Sequence, residues 1–510
     1  MNRYDAIVVG AGPNGLAAAI TLAEAGRDVV LCEAADAPGG AVRTQELTLP
    51  GFQHDTFSSV YPAGIASPVF ARWPLADFGL EWVQPAVSMA HPFPDGDAVA
   101  LHQSLERTAA SLDASRPGDG AAWEQFAAPL LEVFPQLRRT LIGGWFPIVG
   151  PAGLLARHGL QGSLEFARVV LASARTFATE LFAGPRAQAW LAGSCLHGDV
   201  AADDAGSAIT GTYLQLLGHA VGWPSPRGGA QRLADALAGY FEHLGGELRV
   251  SSRVQRVVTA GGRTAGVELA DGERLRANVV VADVLPAGLM ALAGDALGSS
   301  YRARLGRYRY GPATVKVDWA LDGPTPWTAE EARAAGTVHV GGHLDDLVDA
   351  QREVGAGRLP DRPFLLFGQQ TVADPTRAPD GKHTAWAYTR VPQTYRFDPG
   401  GVDAFADRVT EQIERFAPGF ADRVLARHVM GPDDLEARND NLPGGDVGGG
   451  SYAIDQLIFR PVPGLSPYRT PVEGLYLGSA ATFPGGAVHG ACGHAAARLA
   501  LAEGRVRRWL

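Results

Sequence analysis

The sequence predicts an α/β protein of two domains, one built on a parallel sheet and the other on an antiparallel sheet with helices. Three observations predict this class. A strand, a glycine-rich turn and a helix open the chain, and short buried strands return at 247–282 and 474–479. Helical spacing and alternating strands fill the segments between them. With 510 residues, the chain is also long enough for two cores.

The first element is a strand, turn and helix in the order that binds dinucleotides. Asp5–Val9 is rich in β-branched residues, and the turn G-A-G-P-N-G occupies Gly10–Gly15. Helix formers then continue until Gly26, which ends the helix. A second strand, Asp28–Cys32, leads directly to the acidic residue Glu33. Because both strands, the helix and the acid are in register, this segment predicts a nucleotide-binding turn.

Each part of the turn has a physical role. Gly10 allows the sharp turn, Gly12 lets a pyrophosphate approach the backbone, and Gly15 lets the helix pack close to the sheet. The phosphates would contact the free amides at the positive end of the helix. Glu33 can accept hydrogen bonds from the adenosine ribose, and its charge disfavours a 2′-phosphate. The predicted ligand is therefore FAD or NAD rather than NADP.

Composition excludes several classes of protein. The chain has 44 basic and 54 acidic side chains, a net charge of −10 and no basic run, so a nucleic-acid partner is not expected. Cys32, Cys195 and Cys492 form no C-x-x-C pair, which excludes a dithiol redox centre. No apolar run reaches membrane-spanning length, and a first strand at about Asp5 leaves no room for a targeting peptide. We therefore expect a cytoplasmic protein.

Two further glycine elements can bind an anion or support a flavin. A-P-G-G-A-V-R-T occupies Ala37–Thr44, where glycine amides and a guanidinium suit a pyrophosphate, and G-F-Q-H-D follows from Gly51. P-G-G-A-V-H-G-A-C-G at Pro484–Gly493 leads into a helix and again presents free amides, which the electron-rich N1/C2=O edge of a reduced flavin requires. In these motifs the sequence resembles the phytoene desaturase-like flavoproteins, a branch of the FAD enzymes that also includes the monoamine oxidases.

This resemblance implies a glutathione-reductase-type, FAD-binding Rossmann domain formed by 1–61, 225–284 and 467–510. It also implies a second, α+β substrate domain, with a helical cap and an antiparallel sheet, formed by 62–224 and 285–466. The residues that match the family's motifs are Gly39, Gly40, Arg43, Gly51, Phe52, Asp55, Gly485, Gly486, Val488 and Gly490. Ala487 replaces a glycine of the family pattern.

The cofactor predicted from the motifs and the resemblance together is FAD. The residues expected to bind it are Gly10, Gly12, Pro13, Asn14, Gly15, Glu33, Ala34, Gly40, Ala41, Arg43, Val254, Ala282, Ser479, Gly486 and Val488. By the resemblance, Val254 would lie beside the adenine and Ala282 near the pyrophosphate. Many relatives have an acidic residue where this chain has Ser479, so any contact there would use a hydroxyl or a backbone amide.

The part of the FAD domain in the middle of the chain begins with a helix of about twelve to fourteen residues that ends at Gly245-Gly246. Strands are predicted at Glu247–Val250 and Ser252–Val258, followed by a hairpin around Asp271-Gly272 and a buried strand at Ala277–Ala282. These strands return the chain to the FAD domain.

The second domain is predicted from helical spacing between 62 and 224 and from alternating strands beyond 285. Ser163–Phe182 reads as one amphipathic helix, which either faces the core, covers an apolar substrate channel or touches a membrane. Ala313–Leu321 alternates as a strand, with further strands at Phe364–Phe367 and His383–Tyr388. The glycine run Gly444–Gly450 follows no strand, so only one dinucleotide site is predicted.

Two residues are candidates for catalysis. Lys316 is one of only two lysines and lies on the otherwise apolar strand, but an ion pair with Asp318, two residues on, is the favoured interpretation. His489 would project from the flavin loop, where it could relay a proton or hold a negative flavin. The pattern H-x-x-C-x-H that begins at His489 also allows a metal site, but the same residues belong to the flavin loop, and no metal is predicted.

The sequence leaves three functions open. The first is an FAD-dependent dehydrogenase or isomerase of an apolar, possibly polyene or isoprenoid, substrate, with oxygen, a quinone or another carrier as electron acceptor. The second is an amine or amino-acid oxidase. The third is a flavin-bearing binding or regulatory protein without turnover. The sequence identifies neither the substrate nor the oligomeric state.

Overall fold

The protein was analysed as a computed structural model, which describes residues 3–144 and 149–506. The strands, numbered β1 to β19 in chain order, are Ala6–Val9, Val29–Cys32, Thr44–Gln45, His54–Asp55, Trp82–Val83, Val87–Pro92, Ala98–Leu101, Ser225–Pro226, Glu247–Arg249, Val254–Ala260, Arg263–Leu269, Arg274–Arg276, Val279–Ala282, Ala313–Leu321, Ala335–Val340, Leu365–Gly368, His383–Val391, Val424–Met430 and Leu475–Leu477.

The α-helices, numbered α1 to α18 in chain order, are Pro13–Glu24, Pro62–Ile65, Leu105–Ser115, Asp119–Glu132, Phe134–Ile142, Val149–Leu171, Ala174–Leu181, Pro185–Cys195, Ala208–Val221, Gln231–His243, Pro286–Ala293, Ser299–Leu305, Glu330–Ala334, Leu344–Gly355, Gly401–Glu414, Pro432–Arg438, Ile454–Leu457 and Ala491–Val506. Within the described ranges, no helix is both long enough and apolar enough to cross a lipid bilayer.

The first sheet is parallel and has the strand order β19-β13-β1-β2-β9. β1 lies at its centre because all four of its residues are apolar and buried, as a strand covered on both faces requires. Val9 pairs with Cys32 on one side and with Ala282 on the other, so these three strands end at one edge. The residues that follow them, Gly10, Glu33 and Asp283, therefore lie side by side at the carboxyl edge of the sheet, where α/β proteins bind nucleotides.

Alternate residues of β1 face two different layers. Ala6 and Val8 belong to a core that includes helices α1, α10 and α18. Ile7 and Val9 pack instead with the three-stranded sheet of β10, β11 and β12. The predicted strands and hairpin between 247 and 282 are thus confirmed, with boundaries shifted by one to four residues.

The second sheet has seven strands in the order β18-β14-β17-β16-β15-β6-β7 and is antiparallel except for the pair β15 and β6. The predicted strand Ala313–Leu321 is confirmed as β14. All nine of its residues are buried. The alternate residues Val315, Val317 and Trp319 face a core that includes α15, and on the other side Ala320 packs with Phe52 from the first part of the chain. The sequence pattern missed β6 and β7, which lie within the segment read as helical.

The prediction of a single helix at Ser163–Phe182 is wrong. The chain leaves the helix after Leu171, and Ser173 adopts an extended conformation and caps a new helix by accepting a hydrogen bond from the amide of Thr176 at 3.1 Å. The apolar stripe is also not one core face, because Leu171 is 60% exposed whereas Ala178 is fully buried. Serine favours the N-cap position, and here it begins a new helix.

Candidate functional site

Three glycine-rich segments, far apart in the sequence, meet at the amino end of α1. The amide of Gly39 donates to the carbonyl of Ala11 at 2.9 Å, and a Cβ on Gly40 would lie 3.1 Å from the Cα of Gly12. On the other side, a Cβ on Gly493 would collide with the carbonyl oxygen of Asn14. Close approach of these backbones therefore depends on the glycines, and it gathers the predicted cofactor segments around one point.

The turn before α1 has the geometry that a nucleotide requires. Gly10 has φ of +91°, a conformation that disfavours side chains, and a Cβ on Gly15 would collide with the carbonyl of Gly10. Pro13 is the first residue of α1, and Gly12 caps it without a side-chain hydrogen bond. Since the first turn of α1 also contains no acidic residue, its positive dipole end can attract an anion, although the amide of Gly15 already donates to the carboxylate of Asp283.

Glu33 lies at the carboxyl end of β2, with both carboxylate oxygens held by the backbone. Its Oε2 accepts a hydrogen bond from the amide of Ala11 at 2.6 Å, and its Oε1 accepts one from the amide of Ala35 at 2.8 Å. Each oxygen keeps a further lone pair. The carboxylate is therefore fixed beside the glycine turn and is still able to accept hydrogen bonds from ribose hydroxyls.

Asp283 is a site residue that the sequence reasoning missed. Its Oδ2 accepts a hydrogen bond from the amide of Gly15 at 2.8 Å and would lie 2.9 Å from a Cβ on Gly12. The pKa of this carboxyl is raised to about 7, mainly by burial; the hydrogen bond from Gly15 opposes the rise and the charge of Glu33 adds to it. Asp283 comes directly after β13, just as Glu33 comes directly after β2. An acidic residue at the end of a buried strand was therefore the sequence signal that could have identified it.

The residues around the turn fit the pyrophosphate of a dinucleotide. Arg43 Nε is buried and has no hydrogen-bond partner, so the guanidinium keeps a free donor although its Nη2 donates to Asp36 at 3.0 Å. A neutral Asp283 would be compatible with the negative phosphates, and its raised pKa favours that form. Gly12, Asn14 and Arg43 would hold the pyrophosphate, and Glu33 would hold the ribose.

The carboxyl-terminal glycine loop packs against the glycine run that follows Gly444. A Cβ on Gly486 would collide with the carbonyl oxygen of Gly448, so this contact depends on the absence of a side chain at Gly486. Ala487, which replaces a glycine of the family pattern, has φ of +87° and thus adopts a conformation suited to glycine. The glycine run therefore supports this loop, and its backbone makes the contact.

His489 is buried and neutral. Burial lowers the pKa of its imidazole to about 4, and its Nδ1 accepts a hydrogen bond from the amide of Ala491 at 3.1 Å. Its carbonyl accepts a hydrogen bond from Ser67 Oγ at 2.6 Å. A neutral imidazole does not provide a positive charge near pH 7, so this residue holds the loop by hydrogen bonds instead.

The H-x-x-C-x-H pattern is divided among separate partners. Cys492 Sγ donates to the carbonyl of Thr482 at 3.4 Å, while His494 Nδ1 lies 2.8 Å from Thr21 Oγ1. Across residues 3–144 and 149–506, no group of three or more histidine, cysteine, aspartate or glutamate side chains is arranged to hold a metal ion. All three cysteines of the sequence are free and buried.

Lys316 forms the predicted ion pair with Asp318, with its Nζ 2.5 Å from the carboxylate. Burial raises the pKa of Asp318 to about 6, and Lys316 opposes that shift. His54 Nδ1 lies 3.7 Å from the same carboxylate. The lysine is therefore held by a buried carboxylate beside the segment that carries the G-F-x-x-D motif.

The other predicted residues lie in varied surroundings. Ser479 Oγ accepts a hydrogen bond from the amide of Ala481 at 3.2 Å, so the hydroxyl is used within its own turn. Val254 is buried in the core beneath β1 and β2. The carbonyl of Ala41 accepts a hydrogen bond from Ser58 Oγ at 2.8 Å, and Val488 packs on the core that contains α1. Ala34, which follows Glu33, is exposed.

Known proteins resemble this chain over nearly its whole length. The family model described as flavin-containing amine oxidoreductase matches residues 14–500. The pyridine nucleotide-disulfide oxidoreductase domain-containing protein 2 of Rattus norvegicus is 30% identical over 549 residues, covering 98% of this chain and 93% of that protein. A neurosporene-forming phytoene desaturase of Cereibacter sphaeroides is 26% identical over 535 residues, covering 99% of this chain and 96% of that protein.

Among solved structures, cyclohexylamine oxidase from Brevibacterium oxydans IH-35A has the same fold. The two chains superpose with a TM-score of 0.59 at 19% sequence identity, covering 98% of this chain and 99% of that one.

Proposed function

Because the chain belongs to the flavin-containing amine oxidoreductase family, we propose a reaction and a substrate class within that chemistry. The chain is an FAD-dependent oxidoreductase, and the predicted fold class, cofactor and resemblance to the phytoene desaturase-like flavoproteins are confirmed. The proposed reaction is the dehydrogenation or isomerisation of an apolar substrate of the polyene or isoprenoid class. The observation that carries this proposal is the similarity to a phytoene desaturase over 99% of the chain, including the segments outside the nucleotide site.

The proposed division of labour follows the two sheets. The segments 1–61, 225–284 and 467–510 would form the FAD domain, and the strands of the parallel sheet all come from them. The segments 62–224 and 285–466 would form the substrate domain, and the strands of the seven-stranded sheet all come from these. The short pairing of β5 with β8 crosses between the two sets.

Bound FAD supplies the redox chemistry, since N5 of its ring accepts a hydride and the ring stores two electrons. The residues of this chain would bind and orient it. Gly12 and the amino end of α1 would hold the pyrophosphate, Glu33 would accept hydrogen bonds from the ribose, and the backbone at Gly486 and Val488 would face the ring. His489 would keep that backbone in place through its hydrogen bond with the Ala491 amide.

Neither catalytic candidate is needed to carry a charge during this reaction. Lys316 is committed to Asp318, and its role would be to hold the second sheet against the segment that contains His54. An apolar substrate has no group that requires an ion, so the site's task is to exclude water and to align a C–H bond with the flavin. Oxygen, a quinone or another carrier would then accept the electrons.

The experiment that tests the proposal is anaerobic reduction of the purified yellow protein. Polyenes, primary amines and hydroxy compounds are added in turn, and the loss of the flavin absorption band is followed. Bleaching by a polyene supports the proposal, whereas bleaching by an amine with peroxide formation in air identifies an amine oxidase. A protein that only dithionite reduces would be the binding protein without turnover, and rapid saturable reduction by NADPH would contradict the proposed acceptors.

The exposed face of α6 supports a peripheral contact with a membrane, from which an apolar substrate would be drawn. Leu155, Leu160, Leu164 and Leu171 are between 53% and 67% exposed. Leu160, Leu164 and Leu171 lie on one helical segment, after the non-helical break in α6 at Gly159, and Leu155 lies before it. Exposed leucines on one helical segment are typical of an interfacial helix. The double variant Leu160→Ser/Leu164→Ser should release the protein from phospholipid vesicles in a flotation assay, and equal flotation of both proteins would exclude this helix as the contact.

A further inference from the structure

Arg460 is a fully buried cation whose side chain is 0% exposed. Its guanidinium carbon lies 5.9 Å from the ring centroid of Tyr308 and 5.2 Å from that of Tyr452. Its Nη2 donates to Tyr308 Oη at 2.7 Å and to the carbonyl of Gly449 at 2.8 Å. Two aromatic faces and backbone carbonyls therefore hold the guanidinium in one orientation.

The charge of Arg460 has no anionic partner in the described part of the chain. Its Nε and Nη1 are buried without a hydrogen-bond acceptor, and none of the described carboxylates forms an ion pair with it. By contrast, buried Arg377 is paired with Asp55 at 2.8 Å. Burial lowers the pKa of Arg460, but Tyr308 and Tyr452 raise it by more, so the group stays charged. A buried cation without a counter-ion is costly, which indicates a function for it.

The unpaired nitrogens lie against the loop proposed to face the flavin. A Cβ on Gly485 would collide with Nη1 of Arg460, so the guanidinium touches the backbone of the first glycine in that loop. Cys492, in the first turn of α18, donates to the carbonyl of the same glycine at 3.5 Å. The positive charge therefore adds to the positive dipole end of α18. Neutral His489, in the same loop, provides no such charge.

We propose that Arg460 is the fixed positive charge that stabilises the reduced flavin through the Gly485 loop and thereby raises the reduction potential of bound FAD. In the dehydrogenation, one C–H bond of the substrate breaks and its two electrons and proton pass as a hydride to N5, while the neighbouring carbon loses its proton to water and the electron pair of that C–H bond forms the new C=C bond. This leaves one negative charge on the N1/C2=O edge of the ring, and no proton moves to or from Arg460. The residue acts at a distance and is a positioning residue. This inference rests on the proposed FAD site.

The test is the two-electron midpoint potential of bound FAD, measured by dye equilibration under anaerobic reduction without any substrate. Arg460→Met should lower the equilibrium constant for reduction at least tenfold, which makes the potential about 30 mV more negative. The affinity for sulfite, which also adds negative charge to the ring, should fall by a similar factor. Arg460→Lys, which keeps the charge, should stay within threefold of the wild type in both measurements.

Arg390→Met is the matched control, because Arg390 also lies over a tyrosine, 5.4 Å from the centroid of Tyr388, and also has a buried, unpaired Nε. Its removal should leave the potential unchanged. If Arg460→Met does not retain FAD, Arg460→Gln removes the charge with less loss of hydrogen bonding. A charge-free variant whose potential and sulfite affinity stay within twofold of the wild type would overturn the proposal.

The wild-type protein gives an independent result that does not depend on how the variants fold. Its reduced flavin should keep the absorption spectrum of the anionic form at a pH about one unit below the point at which free reduced flavin takes up a proton. A neutral reduced spectrum at that pH would also overturn the proposal. Failure of the proposed polyene chemistry is distinguishable, because it would leave the potential and these spectra unchanged.

Discussion

Replacement of Asp283 by asparagine should stabilise the apoprotein above pH 5, although it removes a charge from the nucleotide site. The carboxyl is buried, accepts a hydrogen bond from Gly15 and lies close to Gly12. Asparagine has the same shape and can still accept that hydrogen bond. The substitution therefore removes the ionisation of the side chain with little change in packing.

The magnitude follows from the two pKa values of Asp283. Burial raises its pKa from 3.8 to about 7. Between about pH 4 and 7 the folded chain therefore binds more protons than the unfolded chain, so the stability of the wild type falls as the pH rises. Each pH unit in this window costs about 1.4 kcal/mol, or about 4 kcal/mol in total. Above pH 7 both states are ionised and the cost is constant.

Urea denaturation of the wild-type and Asp283→Asn apoproteins between pH 5 and 8.5 measures this difference. The free energy of unfolding of the variant should exceed that of the wild type by an amount that grows by about 2.7 kcal/mol from pH 5 to 7 and then stays level. Asp295→Asn is the control, because that carboxylate is 97% exposed, and its difference from the wild type should not change with pH. A difference for Asp283→Asn that is independent of pH would refute the reasoning.

Three further predictions follow from the packing. Gly15→Ala should lower the free energy of unfolding by at least about 2 kcal/mol more than Gly26→Ala, because a Cβ at Gly15 collides with backbone whereas Gly26 faces open space. It should also abolish FAD binding in a spectral titration. Equal losses of stability in the two variants would contradict this. Lys316→Met should cost about 3–5 kcal/mol in urea denaturation by leaving the buried carboxylate of Asp318 unpaired, and the double variant with Asp318→Asn should recover most of that loss; a single-variant loss below about 1 kcal/mol would show that the pair is not buried. Burial, with the nearby histidines, lowers the pKa of His339 well below 6.5, so only the unfolded chain gains a proton as the pH falls below 6.5. His339→Gln should therefore reduce the loss of stability between pH 6.5 and 4.5, by at most about 1.4 kcal/mol per pH unit, and an unchanged slope would argue against a buried neutral histidine.

The sequence predicted the features that depend on short stretches of chain. The strand predicted at Asp5–Val9 is observed at Ala6–Val9. The helix that follows it, α1, ends at Glu24, just before Gly26 adopts a positive φ. The pair of Lys316 and Asp318 was predictable because residues two apart on a strand point to the same face. Where the competing signal was a capping serine, as at Ser173, the helical period alone gave a wrong boundary.

The sequence by itself therefore determined the nucleotide turn, which is encoded within one supersecondary unit, and, through several such motifs and the family that they resemble, the fold class and the cofactor. Only the tertiary structure decided that Asp283 lies beside Gly12 and that Arg460 lies beside Gly485. Such contacts join residues that no local period relates, and they depend on how the sheets and loops pack. Burial, which raises the pKa of Asp283 and encloses the unpaired Nε and Nη1 of Arg460, is likewise a property of the folded chain alone.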